Sequence, residues 1–164
     1  QSGRNAELTV VGRLPDRHRG HPAIRHIGFL DKNTPKHAAQ LSQLYHDAHL
    51  LLLPTRGDCT PMVVAEAMAH GTPVLATDIG GLAAQIGGGG TGRLLPLYAK
   101  PSDWAGAICE MTAQRPNYDF MSDACFDRAV ARFSWQSWAG QIVSLTRQAM
   151  NAREKRDLKV AINA

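Results

Sequence analysis

Apolar positions recur along the chain with two alternating periods. Short strand-like runs are interleaved with longer stretches at helical spacing, the pattern of alternating β and α units. Glu7 to Arg13 (ELTVVGR) predicts a strand, and a polar loop follows it. Ile24 to Leu30 alternates as a second strand, and Pro35 opens a helix with Ala38, Leu41, Leu44 and Tyr45 on one face. Leu50 to Pro54 is a continuous apolar run stopped by a breaker, as in a parallel strand buried on both faces. Thr60 and Pro61 predict a helix start, with Thr60 as N-cap and Pro61 as first helical residue, and Gly71 closes the helix. Apolar residues point all round this segment, MVVAEAMAH, so it is expected to be a buried helix.

Pro73 to Thr77 is the next buried strand, and DIGGLAAQIGGGGTG reads as a glycine-rich loop holding one short helical turn. Gly92 to Pro96 is a last short strand. Beyond Pro101 the spacing predicts three helices: SDWAGAICEMTAQ, a stretch around Tyr118 to Phe133, and a long one from Ser134. The last carries Trp135, Trp138, Ile142, Val143 and Leu145 early and turns basic after Arg147. The fold class expected is α/β, a Rossmann-like parallel sheet with flanking helices and a helical C-terminal segment. No internal repeat interrupts that order, and a chain of 164 residues is the size of a single domain.

Composition narrows the function classes. With 44% hydrophobic and 20% charged residues, and glycine and proline scattered without period, the chain is neither disordered, collagenous nor a coiled coil. Eighteen Lys+Arg against 14 Asp+Glu give a formal charge of +4, spread along the chain, which permits a polyanionic partner without requiring one. Aromatic residues are 6% and form no platform interleaved with arginine, so nucleic acid is not expected as a partner. Cys59, Cys109 and Cys125 are odd in number and lack CxxC spacing, which points to neither a disulfide framework nor a zinc site. A reducing, cytoplasmic compartment is the expectation. No run approaches the ~20 apolar residues that cross a bilayer.

The chemistry concentrates in Arg56 to Gly81, RGDCTPMVVAEAMAHGTPVLATDIGG. Glu66 is the one charge within an apolar helix, and a buried carboxylate needs waiting donors. Helical side chains lean toward the N-terminus, which aims Glu66 back toward the loop holding Asp58. The start of that helix, Thr60 to Val63, offers unpaired N–H groups and the positive end of the helix dipole, an anion site suited to a diphosphate. Two carboxylates flanking it fit the hydroxyls of a ribose and of a sugar, hence a nucleotide sugar. The competing reading makes Glu66 the partner of a buried Arg or His and Asp58 an ordinary turn residue; spacing alone leaves both open.

Asp58, seven intervening residues, Glu66 and then EAMAHGTPVLATDIGG resemble the donor-binding C-terminal half of the retaining glycosyltransferases of the GT-B fold, the group 1 or family 4 set. The likeness runs from about Glu7 to Trp138. It implies that Glu66 accepts hydrogen bonds from ribose hydroxyls and that Asp58 contacts the transferred sugar, the two forming the catalytic pair. It further implies that the Cys59, Thr60, Pro61, Met62 and Val63 backbone holds the distal phosphate. The stretch Gly28 to Leu30 would lie along the base, with Pro54 and Thr55 ending the strand beneath it. The partner implied is a nucleotide-diphosphate sugar, with a hexose moved to a glycan or a lipid-linked acceptor and with no metal or other cofactor. An N-terminal acceptor-binding domain and a cationic Arg and Lys pair are implied on a preceding segment, so the chain is expected to be one part of a two-domain enzyme, inactive alone.

Two departures stand out. Asp58 occupies the place of the family's first Glu, one methylene shorter, and Thr60-Pro61 replaces the usual Phe-Gly. These keep open a non-catalytic nucleotide-binding or assembly module of the same fold; a nucleotide-sugar epimerase is a further alternative, against which the Asp58 to Glu66 spacing argues. Arg56 can supply one cation to the diphosphate, against a plain solvated reading. The Gly87 to Gly90 run lacks the Lys-Ser/Thr of a phosphate loop. His18, His21 and His26 lack carboxylates at ligand spacing, so no metal is expected. His46 and His49 suit the end of a helix dipole. Gly80-Gly81 allow N–H groups to approach a donor phosphate. Ser134 is an expected N-cap, with Trp138 in the core. The basic stretch Arg147 to Lys159 is compatible with peripheral contact to the inner face of a membrane, a solvated helix end being the competing reading.

Overall fold

The computed structural model describes residues 6–87 and 90–162, with side chains described through residue 153. Strands β1 (Leu8–Val11) and β2 (Ile24–Gly28) pair in parallel. Helix α1 (Pro35–Asp47) follows, starting at the expected proline, and leads to β3 (Leu51–Leu53), α2 (Met62–Ala69) and β4 (Val74–Thr77). A short α3 (Leu82–Ile86), β5 (Gly92–Leu95), α4 (Pro101–Met111), α5 (Arg115–Phe133) and α6 (Trp135–Ile162) complete the order.

Strands β3, β4 and β5 form a second parallel sheet in the order β3-β4-β5, so hydrogen bonding divides the expected single sheet in two. β4 is central and buried at all four positions. Its side chains alternate as a two-faced strand requires. Val74 and Ala76 join Val64, Met68, Leu82, Ile86, Cys125 and Ala129 on one face, while Leu75 joins Leu95, Ala107 and Met111 on the other. Leu51 and Leu53 of β3 pack on the first cluster and Leu50 and Leu52 on the second, which is why that run is continuously apolar. Neither β1 nor β2 has a fully buried residue.

Three local expectations are corrected. Helix α2 is buried on one side only: Val64, Ala67 and Met68 are sealed, whereas Met62 and Ala69 are exposed. On α1 the inward face is His37, Gln40, Leu41, Leu44 and Tyr45, all half-buried, and Ala38 is exposed. On α6, Trp138 is 57% exposed and Trp135 80%, so the tryptophans stack edge-on against each other outside the core. Helical period identified the apolar stripe of α6, but only tertiary packing decides whether a stripe is covered. Ser134 does cap α6, its Oγ accepting the Ser137 N–H at 3.1 Å.

Candidate functional site

The carboxyl ends of β3 and β4 open onto one edge of the sheet, where ligands of such folds bind. From the end of β3, residues 54–60 run as an exposed loop to the buried Pro61 at the start of α2, with Thr55 half-buried and Arg56, Gly57, Asp58, Cys59 and Thr60 exposed. The loop turns where the Thr55 hydroxyl donates to the Gly57 carbonyl at 3.2 Å. The helix begins one residue later than expected. Pro61, at φ −64° and ψ 123°, is extended and acts as N-cap, so Thr60 makes no capping bond and Met62 is the first helical residue. Val64 N–H donates to the Pro61 carbonyl at 3.2 Å, and among the described residues Met62 and Val63 N–H find no acceptor.

The loop after β4 braces this one. Gly81 N–H donates to the Cys59 carbonyl at 2.7 Å, so it is not free to meet a phosphate as expected. A Cβ on Gly80, at φ +53°, would lie 2.1 Å from the Asp58 carbonyl oxygen, and one on Gly81 would lie 2.5 Å from that of Cys59. The two glycines therefore let the 58–60 backbone lie directly on the loop after β4.

Glu66 projects from the middle of α2 with its side chain 28% exposed, less buried than its apolar context implied. Among the described residues neither Arg nor His serves its carboxylate. Lys32 Nζ donates to Oε1 at 2.5 Å, and the Tyr45 hydroxyl donates to Oε2 at 3.1 Å. Lys32 is brought there by a tight turn in which the Asp31 carboxylate accepts the Asn33 N–H at 3.0 Å, a bond that holds the Asp31 carboxyl below its usual range. That turn begins just after Leu30, which is buried, and Gly28, which needs glycine at φ +81°. The stretch expected along a base and the carboxylate expected under a ribose are thus joined through Lys32. Phe29 between them is 82% exposed.

Tyr45 is fixed from three sides. Its carbonyl accepts the Thr72 hydroxyl at 2.7 Å, its ring stacks on His70 at 5.5 Å, and burial together with the adjacent Glu66 carboxylate pushes its phenol well above the usual range. His70 in turn holds the Glu66 carbonyl through Nδ1 at 2.8 Å and meets Ser42 through Nε2 at 2.7 Å. A carboxylate held at one point on each oxygen retains one lone-pair direction per oxygen, enough for a vicinal diol.

Lys32, Tyr45 and Gln85 were missed by sequence reasoning; only the Asp-x-Asn-Thr-Pro turn signal before α1 hinted that Lys32 is held in place. His46 lies in the last turn of α1 as expected, whereas His49 lies beyond it and packs against Tyr118 at 5.7 Å. Among the described residues no group of three or more His, Cys, Asp or Glu can hold a metal ion. Nor, among them, is any helix long and apolar enough to cross a membrane.

A parallel α/β domain with an open helix start beyond its strand ends, and a doubly held glutamate on that helix, is the arrangement the fold presents. Residues 1–114 match the model of the family described as Glycosyl transferases group 1, and the chain belongs to that family. The D-inositol 3-phosphate glycosyltransferase of Corynebacterium aurimucosum is 32% identical over 127 residues, 77% of this chain and 29% of that relative. The chain thus spans less than a third of that relative's length. Among solved structures, sucrose-phosphate synthase of Thermosynechococcus elongatus superposes with a TM-score of 0.71 and 26% identity, over 89% of this chain and 39% of that one. The Anabaena protein HepE, crystallised with UDP, gives 0.68 at 18% identity over 87% of this chain and 41% of its own, a likeness of fold.

Proposed function

We propose that the chain binds the nucleotide-diphosphate sugar donor of a retaining glycosyltransferase, in a two-domain enzyme whose acceptor site lies on another domain. The observation that carries this reading is Glu66, held once on each oxygen by Lys32 and Tyr45, about one turn past the open start of α2. The ribose hydroxyls donate to Glu66. The diphosphate sits at the Met62 and Val63 N–H groups, where the helix dipole favours negative charge. Asp58, exposed on the same loop, meets hydroxyls of the transferred hexose. Catalysis then consists of stabilising the departing diphosphate with dipole, N–H groups and cations, Arg56 on the same loop being one such cation while Lys32 stays on Glu66. The acceptor is a glycan or a lipid-linked glycan. Membership of the group 1 glycosyl transferases and the neighbour crystallised with UDP support a nucleotide donor.

Calorimetry with UDP, GDP and ADP, run beside a thermal-shift panel of the same nucleotides and their sugars, tests this reading. One nucleotide is expected to bind, and Glu66→Ala to abolish its binding while the variant stays folded. Equal affinity in Glu66→Ala would sink the assignment.

A further inference from the structure

Gln85, on α3, is 9% exposed, and its side chain reaches from α3 to the start of α2. Its Nε2 donates to the Pro61 carbonyl at 3.3 Å. Its Oε1 is buried and, among the described residues, has no partner. The orientation is forced: the Pro61 carbonyl only accepts, so the amide nitrogen must face it and the oxygen must face away. Nor can Gln85 withdraw. Its N–H donates to the Gly81 carbonyl at 3.0 Å, and Arg128 Nε of α5 donates to its carbonyl at 2.6 Å while Arg128 Nη2 donates to that of Ala84 at 2.6 Å.

A buried half-satisfied amide destabilises a fold relative to an apolar residue of the same shape. Its neighbours Leu82 and Ile86 on α3 are apolar and sealed. The group gains a purpose from what its other half holds. Pro61 is the N-cap of α2, and its carbonyl, shared by Val64 N–H and Gln85 Nε2, lies in the same peptide plane as the Met62 N–H, so these two bonds set the tilt of that plane and, through it, of the first turn that carries the Val63 N–H.

We infer that Gln85 is a positioning residue for the phosphate site, aiming the first free N–H groups of α2 at the diphosphate of the donor at a cost in fold stability. This rests on the donor-binding reading above. The group acts through Pro61 and touches no reacting atom.

Gln85→Met, an unbranched isostere without polar atoms, separates positioning from mere structure. The variant is expected to melt at or above the wild-type temperature and to bind inorganic pyrophosphate and UDP about tenfold more weakly. Loss of stability together with affinity would reduce Gln85 to a structural role, and unchanged affinity would remove it from the site altogether. A measurement on the wild-type chain covers the case in which the variant does not fold. On titration with pyrophosphate, the Gln85 side-chain amide resonance is expected to shift in step with the Met62 and Val63 N–H resonances. A silent Gln85 beside responding Met62 and Val63 overturns the inference alone, whereas failure of both UDP and pyrophosphate to bind the wild-type chain takes the donor-binding reading down with it.

Discussion

The Tyr45 hydroxyl lies 3.1 Å from Oε2 of Glu66 and donates to it across the contact between α1 and α2. The orientation of the candidate ribose acceptor is therefore set by a residue outside its own helix. Because Tyr45 is also stacked on His70 and anchored through its carbonyl by Thr72, it cannot follow Glu66 if the carboxylate moves. Tyr45→Phe keeps the ring and its stacking and removes one hydrogen bond to a charged acceptor, worth about 1.5–3 kcal/mol. UDP affinity is expected to fall about tenfold in calorimetry, with the melting temperature lowered only by the several degrees that loss of this one bond accounts for. A large drop in melting temperature with affinity intact would make Tyr45 a packing residue only.

Gly80 tests whether the brace between the two loops matters for binding. An alanine there meets the Asp58 carbonyl oxygen at 2.1 Å in a left-handed backbone, so the 58–60 loop must shift to admit it. Gly80→Ala is expected to cost about 2–3 kcal/mol in denaturant unfolding and to abolish measurable nucleotide binding. Gly20→Ala is the control, since Gly20, in the loop between β1 and β2, has φ +76° and open space around its Cβ position. It carries backbone strain of about 1 kcal/mol without displacing the site, so its nucleotide affinity should equal wild type. Equal losses of binding in the two variants would show that global destabilisation, not the loop, controls affinity.

What was legible in the sequence was local. Two hydrophobic periods separate strands from helices, and the glycine and proline punctuation sets their limits, so every element from β1 to α6 lies where the pattern puts it, to within a few residues. The partners of Glu66 were not legible. Lys32 is 34 residues away and Tyr45 is 21, and only the packing of α1 on α2 brings them together. Gln85 was hidden for another reason: its glycine-rich surroundings read as loop, where a polar side chain is expected in solvent and not buried. The Thr60-Pro61 pair shows the limit of positional preference. Proline suits the first helical position, yet the same fixed φ also fits an extended N-cap, and the carbonyl that Val64 uses decides between them.

Cys125 gives the fold a pH limit that leaves the site untouched. The thiol is fully buried in the cluster between α2, α3 and α5, where its Sγ donates to the Thr91 carbonyl at 3.1 Å. Burial pushes it up to about 12 from an ordinary 9.0. The unfolded chain then gives up this proton at a lower pH than the folded one. The contribution to stability is thus fully present below about pH 9 and is lost progressively as pH rises toward 12. At about pH 10.5 the loss from this thiol alone is about 2 kcal/mol. Tyr45 and Tyr118, both raised chiefly by burial, extend the decline above pH 10. Cys125→Ala removes the thiol and should flatten the first part of this limb. Urea unfolding at pH 7.5, 9 and 10.5 reads it directly: wild type should lose about 2 kcal/mol more than Cys125→Ala across that range. Parallel declines in the two proteins would mean that the thiol ionises alike in the folded and unfolded chains.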